Sequence, residues 1–273
     1  MSFFTKTSIG YRHIKEGIPC QDYSDSYQSD DRTIITACDG HGGDIYIRSD
    51  RGAKFASDAI IDVLSNFKWS TFFHNDKEEI SKQIGIQILC KWNMLVEQDL
   101  ADNEIKESET AKLKPKEKEH LKRDPVTAYG TTVGGAMVIK NKIFCVSLGD
   151  GGCFLFRKGK IIQAFEDDGE QVANLTHSIS QKDAYAVLNV QIFDGNKYDG
   201  VLICSDGVIN PYGSVSNFEQ YLAIPSIYML LKGKEYELSK YIEQMGAEKG
   251  NGDDVSLSIV LGNNCKEKHY KAR

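Results

Sequence analysis

The order of apolar and polar positions divides the chain into blocks of period two and blocks of period near four. Residues 3–11, 23–27 and 33–38 read as strands, with a turn at Lys15-Glu16-Gly17-Ile18-Pro19 between the first two. Between residues 44 and 67 the spacing changes. Phe55/Ala56, Ala59/Ile60, Val63/Leu64 and Phe67 recur as on one helix face, and Ile80, Ile84, Ile88, Trp92 and Leu95/Val96 mark a second helix. Both stripes read as core. Residues 101–124 are charged, mixed in sign and poor in apolar side chains, which predicts a solvated helix end or flexible connection rather than a docking segment. Past Pro125 strands return at 131–140, 142–148, 152–157 and 160–165, separated by short polar turns, and this spacing predicts an antiparallel meander. A polar loop at 166–177 leads to strands at 187–193 and 200–204, helices at 216–231 and 235–247, and a last strand at 255–261. Strand-helix alternation of the doubly wound kind is missing from this order. Antiparallel sheets with paired helices bury best as layers, so the expected class is α+β, with two sheets face to face and helices on both outer sides.

Composition narrows the setting. At 273 residues, 41% hydrophobic and 26% charged, the chain suits one globular domain over 1–263, followed by a polar tail at 264–273. No apolar run approaches the roughly 18 residues that span a bilayer, and Met1-Ser2-Phe3-Phe4-Thr5-Lys6 lacks the character of a secretory signal. A cytoplasmic protein without a membrane partner is expected. Seven cysteines, odd in number and never spaced C-x-x-C, indicate neither a disulfide framework nor a zinc knuckle. Cys38, Cys145 and Cys204 fall in apolar runs and read as small buried hydrophobes. A net charge of −6 argues against a nucleic-acid partner.

The chemistry concentrates at strand ends. In Thr33-Ile34-Ile35-Thr36-Ala37-Cys38-Asp39-Gly40-His41-Gly42-Gly43 an apolar run delivers an acid to a glycine-rich turn, where a carbonyl or an ion can approach closely. Asp206 ends the run from Val201, Asp253 precedes the run from Val255, and Asp150 follows the run from Ile143. A lone Asp-Gly is most often a turn. Four acids brought together would repel without a cation, and hard divalent ions take oxygen ligands of this kind.

Asp39-Gly40-His41-Gly42-Gly43, Tyr129-Gly130-Thr131-Thr132, Gly149-Asp150-Gly151, Ser205-Asp206-Gly207 and Asp253-Asp254-Val255-Ser256, in that order, resemble the metal-dependent, type-2C protein serine/threonine phosphatases. The opening Gly10-Tyr11-Arg12-His13 and Pro19-Cys20-Gln21-Asp22 resembles the short bacterial branch of that family. The resemblance runs from about Thr7 to Leu261. It implies a four-layer α-β-β-α sandwich with two metals, Mn²⁺ or Mg²⁺, at one end. Asp39 would bridge both ions, the Gly40 carbonyl would ligate one, Asp206 and Asp253 would hold the other, Asp150 with Asp206 would bind a weaker third, and Asp22 would anchor metal-bound water. Hydrolysis by that water, without a phosphoenzyme, would follow, with His41 as general acid and Arg12, or its rival His13, on the substrate phosphate. Phosphoserine and phosphothreonine proteins, countering a kinase, are the implied substrates of what is expected to be a monomer. Three departures from the family pattern stand out. Gln21 replaces a frequent Glu, Gly151-Gly152 replace Arg-Ser, and Asp254 occupies a frequent Asn position, so Asp253 and Asp254 compete as ligand, with the alignment of Val255-Ser256 favouring Asp253.

Other classes fare worse. No cysteine meets the C-x5-R spacing of a thiol phosphatase, and neither D-x-D-x-T/V nor a P-loop occurs. The rival from another class is a catalytically weak or inactive relative that binds phosphoproteins, which should have lost Asp39, Asp206 or Asp253; all are present. A small-phosphoester hydrolase stays open.

Overall fold

A computed structural model describes residues 1–165, 176–263 and 265–271. In chain order the elements are β1 (Phe3–Ser8), α1 (Tyr11–Glu16), β2 (Asp22–Tyr23), β3 (Ser26–Gln28), β4 (Arg32–Thr36), β5 (Cys38–Asp39), α2 (Ser49–Ser65), α3 (Lys77–Asp102), α4 (Pro115–Arg123), β6 (Val133–Ile139), β7 (Lys142–Leu148), β8 (Gly152–Arg157) and β9 (Lys160–Gln163). Then follow α5 (Ala184–Val187), β10 (Asn189–Asp194), β11 (Gly200–Cys204), α6 (Asp206–Ile209), α7 (Val215–Phe218), α8 (Ile224–Leu231), α9 (Glu235–Gly246) and β12 (Val255–Leu261). The expected loop at 166–177 lies mostly outside the described residues.

Two antiparallel sheets carry the fold. One runs β1-β12-β11-β8-β9 and the other β10-β7-β6-β4-β3, while β2 and β5 pair separately. Strand alternation builds three cores from the two sheets. On β7, Ile143 and Cys145 join Ile35, Ala136, Leu155, Val201 and Val260 between the sheets. Their neighbours Phe144 and Val146 face outward to meet Ala56, Ile60, Ile84, Ile88 and Trp92 of α2 and α3. Across the sandwich, Leu257 and Ile259 of β12 meet Ile227, Leu230, Leu238 and Ile242 of α8 and α9. The result is the four-layer α+β sandwich, and Cys38, Cys145 and Cys204 are buried in it.

Three local expectations change. The expected meander is split: β6 pairs with β7 and β8 with β9, but β7 and β8 lie in different sheets, so Gly149-Asp150-Gly151 is a crossing between layers rather than a hairpin. Gly149 makes it with φ +100°, a conformation that a side chain would strain. Tyr11–Glu16, expected as a strand end and turn, is a short helix closed by Gly17 at φ 68°. Residues 101–124 hold the end of α3 and the whole of α4, which begins with Pro115 in its first turn and with the Glu117 side chain accepting from Lys114 N–H at 2.8 Å. Near the end of the chain Tyr270 is fully buried and donates to Asp199 at 2.6 Å. No helix of the described residues is long and apolar enough to cross a membrane.

Candidate metal centre

Short elements bring the strand-end acids to one edge of the sandwich. β2 sets Asp22 opposite Asp39 on β5. The Thr131-Thr132 pair at the start of β6 then pins β5: Thr132 Oγ1 accepts from Asp39 N–H at 2.9 Å, and Thr131 Oγ1 donates to the Asp39 carbonyl at 2.8 Å. Asp206 opens α6 directly after β11, and Asn210 donates to its Oδ2 at 2.9 Å. Asp150 sits on the crossing after β7, where Thr176 donates to its Oδ2 at 2.5 Å. Asp253 lies just before β12.

These acids share a cavity of about 270 Å³ lined by His13, Gln21, Asp22, Asp39, Gly40, His41, Gly42, Thr132, Asp150, Thr176, Asp206, Asp253 and Asp254. Larger hollows lie between α2 and α3, about 470 Å³, and beside α4, about 700 Å³, but neither lining gathers a comparable set of acids. Chemistry, rather than size, singles out the first.

Electrostatics gives the same answer. Burial, then the charges of Asp22 and Asp206, hold the Asp39 carboxyl well above its usual range. Burial also raises Asp206, with Asp150 and Asp253 adding to the rise, and pushes Asp22 up to about 7. One buried oxygen of Asp22, Oδ2, has no hydrogen-bond partner, and neither does the buried Nε2 of His41. Burial lowers the His41 imidazole, against the pull of Asp150. Among the described residues no three acids, histidines or cysteines already close around one point at cation-binding distance. The acids are nonetheless oxygen donors gathered with no lysine or arginine among the described lining residues, which fits hard divalent cations.

Each residue singled out from the sequence can be placed. Asp22, Asp39, Gly40, His41, Asp150, Asp206, Asp253 and His13 all line the cavity. Arg12 does not: it is exposed, with Nη2 on the Asn251 carbonyl at 3.2 Å. The two competing acids divide their roles. Asp254 is buried and accepts from Gly10 N–H at 2.6 Å, Gln21 N–H at 2.6 Å and His13 Nδ1 at 2.9 Å, whereas Asp253 is exposed toward the cavity mouth. The sequence offered Asp254 only as a rival ligand and Gln21 only as a replaced Glu; it did not show the Asp254 anchor, the two threonines beneath Asp39, or the Gln21 amide reaching Ser49 Oγ at 2.7 Å. The Gly-Thr-Thr string was visible as a motif; its contacts needed the sheet pairing.

The family model for protein phosphatase 2C matches residues 9–240. No curated protein sequence matches. Among solved structures, a bacterial serine phosphatase superposes with TM-score 0.60 at 16% identity, covering 97% of this chain and 99% of that one. Serine/threonine phosphatase Stp1 from Staphylococcus aureus gives 0.57 at 14% identity, covering 97% and 96%. The catalytic domain of the serine/threonine protein phosphatase PstP, solved with 2 manganese ions, gives 0.53 at 13% identity, covering 94% and 96%.

Proposed function

The chain belongs to the protein phosphatase 2C family, and from that premise we propose that it hydrolyses phosphoserine and phosphothreonine in proteins with the help of two divalent cations. The observation that carries this reading is the set of carboxylates around Asp39, Asp22 buried and Asp39 and Asp206 half-buried, each raised by burial and by neighbouring carboxylate charge, with no lysine or arginine among the described residues lining their cavity. Asp39, the Gly40 carbonyl, Asp206 and Asp253 would hold the two ions, and Asp150 with Asp206 a weaker third. When bound, hard cations there, Mn²⁺ or Mg²⁺, would offset the phosphoryl charge and acidify water, and manganese is the ion seen in PstP.

The chain's own groups do the rest. Asp22 holds and orients a water through its unpartnered Oδ2. Water, rather than a side chain of the cavity, is the nucleophile in this reading, so no phosphoenzyme forms. His41 donates its proton to the leaving serine or threonine oxygen. His13, fixed through Nδ1 by Asp254, faces the substrate phosphate from inside the cavity, and Arg12 at the rim meets the approaching phosphopeptide. A cytoplasmic monomer that reverses the action of a serine/threonine kinase is the setting we infer.

The test is phosphoserine-peptide hydrolysis by the full chain with Mn²⁺ or with EDTA, beside Asp39→Asn. Turnover that needs the ion and disappears in the variant is expected. Turnover that survives EDTA, or an Asp39→Asn variant as fast as the parent, defeats the reading; binding of the peptide without turnover turns it into a recognition module.

A further inference from the structure

The charged segment between α3 and α4 is bolted to the loop that carries His41. Arg48, 3% exposed at the foot of α2, spends every N–H of its guanidinium. Nε and Nη2 donate to the two Glu109 carboxylate oxygens at 2.8 and 3.0 Å, and Nη1 to the Asn103 carbonyl and to the Tyr129 hydroxyl at 2.7 Å each. Nη2 also reaches the Glu104 carbonyl at 3.2 Å. Tyr129 in turn donates to Asp99 at 2.5 Å, and Arg51 donates to the same carboxylate at 2.9 Å. Leu113 and Leu121, both buried, peg the segment into the core under α2 and α3.

The turn 128–130 links this cluster to the cavity. Its first and last carbonyls bracket the His41 loop: Ala128 accepts from Arg48 N–H at 2.9 Å, and Gly130 accepts from His41 N–H at 3.1 Å. Gly130 also lets two rings close over it. A Cβ there would come within 2.4 Å of the Tyr46 ring and 3.1 Å of His41 Cδ2, and those two rings lie 4.9 Å apart. Displacing the turn would therefore shift both the backbone donor and the ring contact that set the imidazole.

We propose that Arg48 and Glu109 are positioning residues for His41, so that the segment from Asn103 to Leu113 acts as a strap aligning the proton donor with the leaving oxygen. This rests on the reading of His41 as general acid. An alkoxide leaving group needs that proton, whereas p-nitrophenolate departs readily without it. The diagnostic quantity is thus the ratio of kcat on a phosphoserine peptide to kcat on p-nitrophenyl phosphate, measured on the full chain with Mn²⁺.

In His41→Asn the ratio should fall by about a hundredfold, the lower end of a general acid's contribution. Glu109→Ala should lower it roughly threefold to tenfold, Glu109→Gln by less, and Glu109→Ala should add nothing in the His41→Asn background, because coupled groups are not additive. Arg48→Met belongs in the series, but the half-buried Glu109 variants keep the question answerable if Arg48→Met fails to fold. A Glu109→Ala protein that slows both substrates equally, or that loses thermal stability with its ratio intact, overturns the strap. A ratio unchanged in His41→Asn overturns the proton-donor reading itself, and the strap with it.

Discussion

Two clusters of buried charge sit on either side of the His41 loop, and their internal accounts differ. Around Arg48 one guanidinium meets five acceptors, and the two carboxylates it draws in are held below their usual range: Glu109 by Arg48 itself, and Asp99, against a burial that would raise it, by Tyr129 and Arg51. Around Asp39 the carboxylates meet one another, and burial and like charge push them up. A cluster that balances from its own residues is finished when the chain folds, and its role is mechanical. One that cannot balance from within is built to receive charge from outside, which is the physical meaning of a metal and phosphate site. The His41 loop is the joint between them.

Neutralising one member of each cluster breaks the comparison most sharply. Asp39→Asn should lower metal-dependent turnover by at least about a thousandfold, equivalent to roughly 4 kcal/mol of barrier, and leave the metal-free fold as stable as the parent or more so, since it removes repulsion. Arg48→Met should do the reverse. It strands Glu109, the Tyr129 hydroxyl and two backbone carbonyls, and should cost about 3 kcal/mol of unfolding free energy in urea titrations. If Asp39→Asn instead proves the less stable of the two in EDTA, the acid cluster is a structural network and the contrast is wrong.

Metal addition tests the same division from the ligand side. Mn²⁺ at a hundred times its dissociation constant should raise the unfolding free energy of the parent by about 2.7 kcal/mol. Asp206→Asn should lose most of that gain, while Glu109→Ala should keep it, because the strap holds no ion. Melting curves with and without Mn²⁺ decide the matter, and an equal gain in parent and Asp206→Asn would remove Asp206 from the ligand set.

Much of this was readable before any coordinates, and the limits have physical causes. Period-two and period-four stretches long enough to bury a face gave α2, α3, β7, β8, β11 and β12 to within a few residues, because burial leaves a repeating signature. Helix α1 buries none of its residues, so no such signature exists for it. Helix α4 did carry a local signal, a proline in its first turn and a glutamate closing that turn, but its charge masked it. The meander failed for a topological reason: alternation is the same whether the next strand pairs in its own sheet or crosses to the other, so Gly149-Asp150-Gly151 could not announce the crossing. At the site the acids were visible by type and spacing. Which of Asp253 and Asp254 turns inward was not, because that depends on the N–H groups of Gly10 and Gln21, more than two hundred residues away in sequence.

Acidity should separate the two clusters by sign, one limb lying below about pH 4 and the other between about pH 4 and 7. Burial pushes the Asp22 carboxyl up to about 7 from its ordinary 3.8, so over that interval the folded state binds more protons than the unfolded one. Its stabilisation is complete below about pH 4 and is lost as pH rises through about 7. Glu109 and Asp99 are held below their ordinary values, so the stabilisation they bring is present above about pH 4 and is lost as pH falls through their lowered range. Metal-free protein should therefore melt at progressively lower temperature from about pH 4 to 7, and Asp22→Asn should lessen that decline, with Asp39 and Asp206, also raised, keeping the rest. Arg48→Met should flatten the acid limb instead, since it removes the partner that keeps Glu109 ionised. Saturating Mn²⁺ should erase the decline toward neutral pH in the parent and leave the acid limb in place, because cations favour ionised carboxylates in the cavity and have no access to the strap. A melting temperature that does not fall between about pH 4 and 7 in the metal-free parent would mean that the acid cluster is hydrated well enough to ionise freely, and the distinction between a self-balanced and an externally balanced cluster would then fall.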